Sequence, residues 1–392
     1  MVQCNNEYRA SMSETAGNSD SNRIFVFQGG GALGAYQAGA YEALHKHELE
    51  PDWLAGISIG AINAAIIAGS PRDRRIGNLR AFWDMVSSSP IFAFGDQESS
   101  LRRVNNDIAA MTGTLFGIPG FFSPRLYTPF QLATNPAALI SYYDTDPLMK
   151  TLDNLIDFDL LNDGSTRLSL GAVDVQSGNF AYFDNRKTKL DARHIAASGA
   201  LPPGFAPIEI DGHFYWDGGL VSNTPLQHVL AVNEADCDLE IFQVDLFSAR
   251  GDMPRDQFEV ESRVKEIRYS SRTRMNTDDF ARKQMVRRAA KRLLEKLPPE
   301  LLDDEDAKIL RSIGQEYDVT IVHLIHRRAA YATHAMDVEF SRRSINEHWQ
   351  AGYDDVAYTL KHSRWRNRGR PKDGIQIFDL ARERHDKRAA VS

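Results

Sequence analysis

Cysteine is scarce in this chain of 392 residues, which holds only Cys4 and Cys237. Two thiols cannot form the disulfide framework of a secreted scaffold, so both are expected to be free in a reducing compartment. An apolar signal segment is also missing: residues 1–22 are polar, rich in Ser and Asn, and read as a disordered leader. Unbroken apolar runs are few. Trp53–Pro71 and Ile108–Pro124 carry no charge and are 19 and 17 residues long, which would allow a membrane span. The first is interrupted by Gly56, Gly60, Gly69 and Asn63, the second by three glycines and Pro119, and such interruptions favour buried soluble structure. Positive charge is not in excess, with 46 Lys and Arg against 53 Asp and Glu for a net −7, which gives no hint of nucleic-acid binding. No cluster has metal-ligand spacing and no repeat is visible, so no metal or cofactor is expected.

What is present is ordinary for a globular protein, with 42% apolar and 25% charged residues. The length fits one large domain, or one with a smaller appendage. Charge is unevenly spread. Residues 250–296 carry 14 Lys and Arg against 8 Asp and Glu, and residues 361–388 carry 10 against 4. These basic stretches either pair with the acidic remainder or draw the protein to an anionic lipid surface, and interleaved charge on soluble helices favours the first.

Ile24–Phe27 is apolar on both faces and runs through Gln28 into Gly29-Gly30-Gly31, the pattern of a central parallel strand closed by a glycine turn. Ala32 to Leu49 follows with helical spacing at Leu33, Tyr36, Ala40 and Leu44. Trp53–Ile57 reads as the next strand, and Gly60–Ala68 as a small-residue helix suited to close packing on a sheet. This alternation implies an α/β fold with a mostly parallel sheet. Residues 92–146 break the pattern. They form an insertion rich in Gly, Pro and aromatics, including Phe116, Phe121, Phe122, Tyr127, Phe130, Tyr142 and Tyr143, and read either as a packed loop or as a lid over an apolar pocket. Strands resume at Arg167–Val175, Phe180–Phe183, Leu239–Phe247 and Val319–His326, while 256–297 reads as charged helix. Ser344-Ile-Asn-Glu347 fits a capping box, and Ile345, Trp349, Tyr353, Val356 and Leu360 behind it form an amphipathic helix.

Gly56-Ile-Ser58-Ile-Gly60 fits G-x-S-x-G between an apolar strand and a helical pattern. That is the setting of a nucleophile elbow, where glycines two residues either side of Ser58 relieve crowding in a sharp turn. Gly29, Gly30 and Gly31, between strand and helix, suit an oxyanion hole, since backbone N–H groups can approach a developing negative charge there. A rival reading takes Gly29-x-Gly31-x-x-Gly34 as a dinucleotide fingerprint with Asp52 as its acid. Asp52 precedes the second strand, however, and a ribose-binding acid belongs at the strand's C-terminal end, where Ser58 stands instead. The base for Ser58 has two sources. His194, His213, His228, His323, His326 and His334 are candidates for a Ser–His–Asp arrangement, but none lies in a glycine-flanked turn. Asp217, in Trp216-Asp217-Gly218-Gly219, can reach a crowded site because of the two glycines. In a partly dry cleft its carboxylate could accept the serine proton directly.

The triple glycine, G-x-S-x-G and Asp-Gly-Gly, in that order, resemble the patatin-like phospholipase family. The likeness covers residues 23–230 and includes Ala172–Gly178, Ala197–Pro207 and Asp217–Pro225. It implies a three-layer α/β/α domain with a mostly parallel sheet and a Ser–Asp dyad without histidine that acts on acyl esters of lipids. By position, Ser58 would be the nucleophile, Asp217 the base and Gly29, Gly30 and Gly31 the oxyanion hole, with Gly56 and Gly60 shaping the elbow. One departure is Leu33, where the family usually has Arg or Lys; it removes a fixed charge near the site. Phe340–Trp349 resembles an extension of unassigned function on bacterial members.

The chain is thus expected to comprise a leader (1–22), a catalytic domain (23–230) and a mainly helical C-terminal extension (231–392). Strands near 239–247 and 319–326 of the extension would join the core, and a basic tail covers 361–392. The expected partner is a lipid or other acyl ester, with peripheral contact to anionic membrane, in the cytoplasm or at its inner membrane surface. Hydrolysis of short-chain or hydroxyacid esters on the same dyad stays open as an alternative, as does a non-catalytic lipid- or partner-binding role.

Overall fold

The computed structural model describes residues 21–87, 109–125, 140–232, 237–271, 273–313, 317–327, 336–371 and 373–389. Cys4, His334, Tyr127 and Phe130 lie outside the described residues. The strands are β1 (Ser21–Phe27), β2 (Trp53–Ile57), β3 (Ser123–Pro124), β4 (Tyr143–Asp144), β5 (Arg167–Asp174), β6 (Phe180–Asp184), β7 (Ile208–Ile210), β8 (His213–Asp217), β9 (Asp238–Asp245), β10 (Val319–Ile325) and β11 (Ile375–Phe378). The helices that matter below are α1 (Ala35–Lys46), α2 (Ile59–Ala68), α3 (Arg75–Val86), α4 (Ala192–Ser198), α5 (Leu226–Ala231), α6 (Gln257–Tyr269), α7 (Thr273–Leu294) and α8 (Arg342–Lys361).

The main sheet runs β11-β10-β9-β1-β2-β5-β8-β7, with β6 also paired to β5. From β11 to β5 every pairing is parallel, whereas β6, β7 and β8 join antiparallel. The continuous apolar run of β1 is explained by its place between β9 and β2, covered on both faces. Phe25, Phe27, Leu54, Leu170, Phe242 and Val244 face α1, α2, α3 and α8. Ile24, Val26, Trp53, Ala55 and Ile241 face α5 and α7, giving helix, sheet and helix layers.

Several boundaries differ from the sequence reading. β1 starts at Ser21, inside the segment read as leader, because Ser21 and Asn22 pair with Asp238 and Leu239 of β9. The first helix is short: Gly31–Gly34 forms a 3-10 turn, and α1 ends at Lys46. The segment before Asp217, Ile208–Tyr215, is a hairpin, since Asp211 and Gly212 both take positive φ, as a two-residue turn requires. Helix 256–297 is two helices with a break at 270–271. The cap of α8 is Ser341, not Ser344: the Ser341 side chain accepts from the Ser344 N–H, and Ser344 is buried inside the helix. Ser341 has the extended backbone of an N-cap, which a residue in the first turn cannot adopt.

α8 crosses α1 at very short range. A Cβ on Gly39 would stand 1.8 Å from the Trp349 carbonyl oxygen, and one on Gly352 would stand 1.9 Å from that of Tyr36. Tyr36 then donates its hydroxyl to Asp355 at 2.9 Å. Many basic residues of the two positive stretches sit in ion pairs: Arg263 with Glu266, Arg368 with Glu240, Arg370 with Asp238, and Arg384 with Asp354 and Asp355. Among the described residues no helix is long and apolar enough to cross a membrane. The charge-free run from Trp53 forms β2, a turn and the buried helix α2.

Candidate active site

Strand pairing brings Ser58 and Asp217 together. β5 uses one edge for β6, over Ser169–Val173. Its other edge is shared end to end: Gly171 pairs with Ile57, the last residue of β2, and the next residue, Ala172, pairs with Asp217, the last residue of β8. β2 and β8 run in opposite directions along that edge, so their C-terminal ends meet. Gly218 continues past this junction because a Cβ there would lie 2.7 Å from the Gly171 carbonyl oxygen.

Ser58 leaves β2 with φ 55° and ψ −124°, a region that favours glycine. The turn is held by the Ser58 N–H, which donates to both the carbonyl and the hydroxyl oxygen of Ser198 at 3.1 Å, while the Ser198 hydroxyl donates to Gly171. The flanking glycines are sterically required. A Cβ on Gly56 would come within 2.4 Å of the Gly60 carbonyl oxygen, and one on Gly60 within 2.5 Å of that of Phe27.

Asp217 is 2% exposed. Burial pushes its carboxyl up from the ordinary carboxylate value to about 6, against the opposing pull of the nearby Ser58 hydroxyl and of the Gly219 N–H. The Gly219 bond measures 2.7 Å. A carboxylate so placed is a stronger base than one in water and is still mostly ionised at neutral pH.

The glycine loop lies beside this pair. A Cβ on Gly29 would meet the Asn223 side chain at 2.4 Å and Ser58 Cβ at 3.0 Å. The Gly29 N–H donates to the Asn223 carbonyl at 3.2 Å, so it is committed to the fold rather than to a ligand. Gly30 and Gly31 have no backbone N–H bond to another described residue and line the cleft. Gln28 anchors the loop from below. Its side-chain oxygen accepts from the N–H groups of Leu246 and Phe247, and its amide donates to Thr224 and to the Tyr269 carbonyl.

The cleft holds about 330 Å³. Ser58 and Asp217 line it among mainly apolar neighbours, and Phe121, Phe122, Tyr143 and Phe205 form one aromatic cluster there. Phe340 packs on Phe121 from the C-terminal part of the chain. Of the insertion's other aromatics, Phe116 and Tyr142 are exposed.

The rival residues lie elsewhere. Asp52 accepts from the Arg23 N–H and stands with it at the N-terminal end of the sheet, opposite the glycine loop. His194 belongs to the capping box of α4 with Asp191. His213 is exposed near Asp174, and His228 stacks on Tyr182. His323 faces Asp245 at 2.5 Å, and His326 faces His348 at 3.1 Å. No described histidine lines the cleft. Sequence reading missed Gln28, Ser198, Lys265, Tyr269, Asp337 and Phe340. The last four come from the far C-terminal part, and no local spacing pattern marks them.

A family model for patatin-like phospholipase matches residues 25–230, and one described as patatin phospholipase matches 267–372. Over 77 residues the chain is 38% identical to a patatin-like phospholipase domain-containing protein of Caenorhabditis elegans; the match spans 19% of this chain and 7% of the length of that relative. Among solved structures it is similar to VipD from Legionella pneumophila, with 14% identity, a TM-score of 0.38 and coverage of 95% of this chain and 74% of that one. Human GIVD cytosolic phospholipase A2 is also similar, with 12% identity, a TM-score of 0.32 and coverage of 57% and 43%. The first model spans more than half of the chain, and the chain belongs to the patatin-like phospholipase family.

Proposed function

We propose that the protein is a serine lipid acyl hydrolase of phospholipase A type. Ser58 attacks the ester carbonyl and Asp217 takes its proton directly, then returns it to the alcohol oxygen as the ester C–O bond breaks and the alcohol leaves. The N–H groups of Gly30 and Gly31 hold the oxyanion, and water then cleaves the acyl-enzyme. Gly29 has a steric role in this scheme, because its N–H is already engaged by Asn223. The observation that carries the reading is the strained Ser58 set beside a buried Asp217 at the strand junction, both lining an apolar cleft. The aromatic cluster suits a fatty acyl chain. Ser58→Ala and Asp217→Asn should each abolish hydrolysis of p-nitrophenyl esters, and retained turnover in either sinks the dyad. A fluorophosphonate probe that leaves Ser58 of the folded protein unlabelled would favour a non-catalytic binding role. A preference for short-chain esters over phospholipids would favour the short-chain alternative.

The substrate is met at a lipid surface. Val260, Val264 and Ile267 are exposed on the helix that carries Lys265 and Tyr269 of the cleft, and Met111, Leu115 and Phe116 are exposed around Gly113 and Thr114 of its rim. This contact rests on apolar side chains rather than on the ion-paired basic residues, so sedimentation with anionic vesicles should persist at high salt. No sedimentation at either salt concentration would remove it.

A further inference from the structure

The glycine loop is held at both ends by segments from beyond residue 237. At its start, the Tyr269 carbonyl at the end of α6 accepts from the Gln28 amide at 2.9 Å and from Asn223 at 3.0 Å, while Asn223 also donates to the Gly29 carbonyl at 3.0 Å. At its finish, the Asp337 carbonyl accepts from the Ala32 N–H at 2.8 Å. Gly31, at φ +55°, presses against that carbonyl so closely that a Cβ would lie 2.1 Å from the oxygen. The two holding segments are joined by one ion pair: Lys265 Nζ, on α6, stands 2.5 Å from the Asp337 carboxylate. Both residues line the cleft, and their side chains are 33% and 18% exposed.

We propose that Lys265 and Asp337 are positioning residues that latch the oxyanion loop, so that the C-terminal part of the chain sets the alignment of the Gly30 and Gly31 N–H groups. The inference rests on the reading of those N–H groups as oxyanion donors. Misplaced donors cost rate steeply while leaving ground-state binding alone. The Lys265–Asp337 pair is partly open to water, so releasing it should cost about fivefold. The effect falls on kcat, because the oxyanion exists only along the reaction path.

The test uses the full chain. Lys265→Met and Asp337→Asn should each lower kcat on p-nitrophenyl butyrate, and the rate of fluorophosphonate labelling of Ser58, by about fivefold with KM unchanged. The double variant should be no worse than either single one. Lys265→Arg should label at the wild-type rate, and it keeps the test valid if Lys265→Met folds poorly. Three results overturn the latch. Labelling rates within about twofold of wild type, even with a lowered Tm, would make the pair merely structural. Strictly additive losses would mean that the two residues act apart. A KM that rises for anionic esters alone, with kcat and labelling intact, would make Lys265 a substrate contact. Failure of the underlying hydrolase reading looks different, because then the wild-type protein itself does not label.

Discussion

Ser58 and Asp217 follow or end two strands that run toward each other along one edge of β5, held to consecutive residues Gly171 and Ala172. Their juxtaposition is therefore fixed by sheet register rather than by loop conformation. A one-residue slip of β8 would turn the Asp217 side chain to the opposite face. Register also explains the first glycine after Asp217: at Gly218 the chain must turn away within van der Waals distance of the Gly171 backbone, while at Gly219 a Cβ would meet the Asn223 and Asp217 side chains.

Burial of Asp217 leads to linked predictions about rate and stability. With its carboxyl pushed up to about 6, kcat/KM should fall below pH 6, as the protonated acid cannot accept the Ser58 proton. The stability sign is opposite to that of a salt-bridged carboxylate. The folded-state pKa lies above the unfolded one, so the protonated form is favoured by folding. That stabilisation is complete below about pH 4 and is lost as pH rises through about 6. Asp217→Asn carries no such dependence. It should become more stable than wild type between pH 4 and 7 by about 3 kcal/mol, while losing activity. Urea melts across that range check this, and a constant difference would refute it.

The turn at Ser58 stores backbone strain that a glycine would relieve. Ser58→Ala keeps a Cβ at φ 55°, whereas Ser58→Gly removes it at some cost in chain entropy. Both variants should be inactive, but Ser58→Gly should be more stable than Ser58→Ala by about 1 kcal/mol. Equal urea midpoints would mean that the turn is not strained.

Gln28 makes four side-chain hydrogen bonds in a fully buried position. Gln28→Leu would strand the N–H groups of Leu246 and Phe247 and unpair the Tyr269 carbonyl from the loop. Each stranded buried group costs about 1–3 kcal/mol, so a loss of several kcal/mol is expected in urea unfolding. Fluorophosphonate labelling of whatever remains folded should be slow.

The elbow was legible in the sequence because its constraint is local. Gly56 crowds against the Gly60 backbone within the same strand–turn–helix unit, and the spacing records that, whereas Gly60 crowds against the Phe27 carbonyl of the neighbouring strand. Gly29–Gly31 and Asp217 were legible for the same reason, as glycine turns at strand ends. The clamps on the glycine loop were not. Tyr269 acts through its main-chain carbonyl and Asp337 partly so, which leaves no side-chain signature. The placement of the α8 cap at Ser344 went astray because serines at 341 and 344 both offer a cap, and only the extended backbone at Ser341 decides between them. Gly39 and Gly352 would each weaken an isolated helix. Their purpose exists only where the two helices cross.

That crossing gives the last prediction, a pair of substitutions of identical chemistry and opposite sign. Gly352→Ala would place a methyl 1.9 Å from the Tyr36 carbonyl and 3.0 Å from the Ala40 nitrogen, both rigid backbone in α1. The helices must then separate, with loss of the Tyr36–Asp355 hydrogen bond, and overpacking of this kind costs about 1–3 kcal/mol. Gly77 in α3 is also helical, but a methyl there meets nothing within 4 Å. Gly77→Ala should therefore stabilise by about 0.5–1 kcal/mol through helix propensity alone. Because α1 follows the glycine loop through a single 3-10 turn, Gly352→Ala should also slow labelling of Ser58, and Gly77→Ala should not. If both substitutions stabilise, the close approach of α1 and α8 is wrong, and with it the argument that the C-terminal part of the chain is built into the catalytic unit.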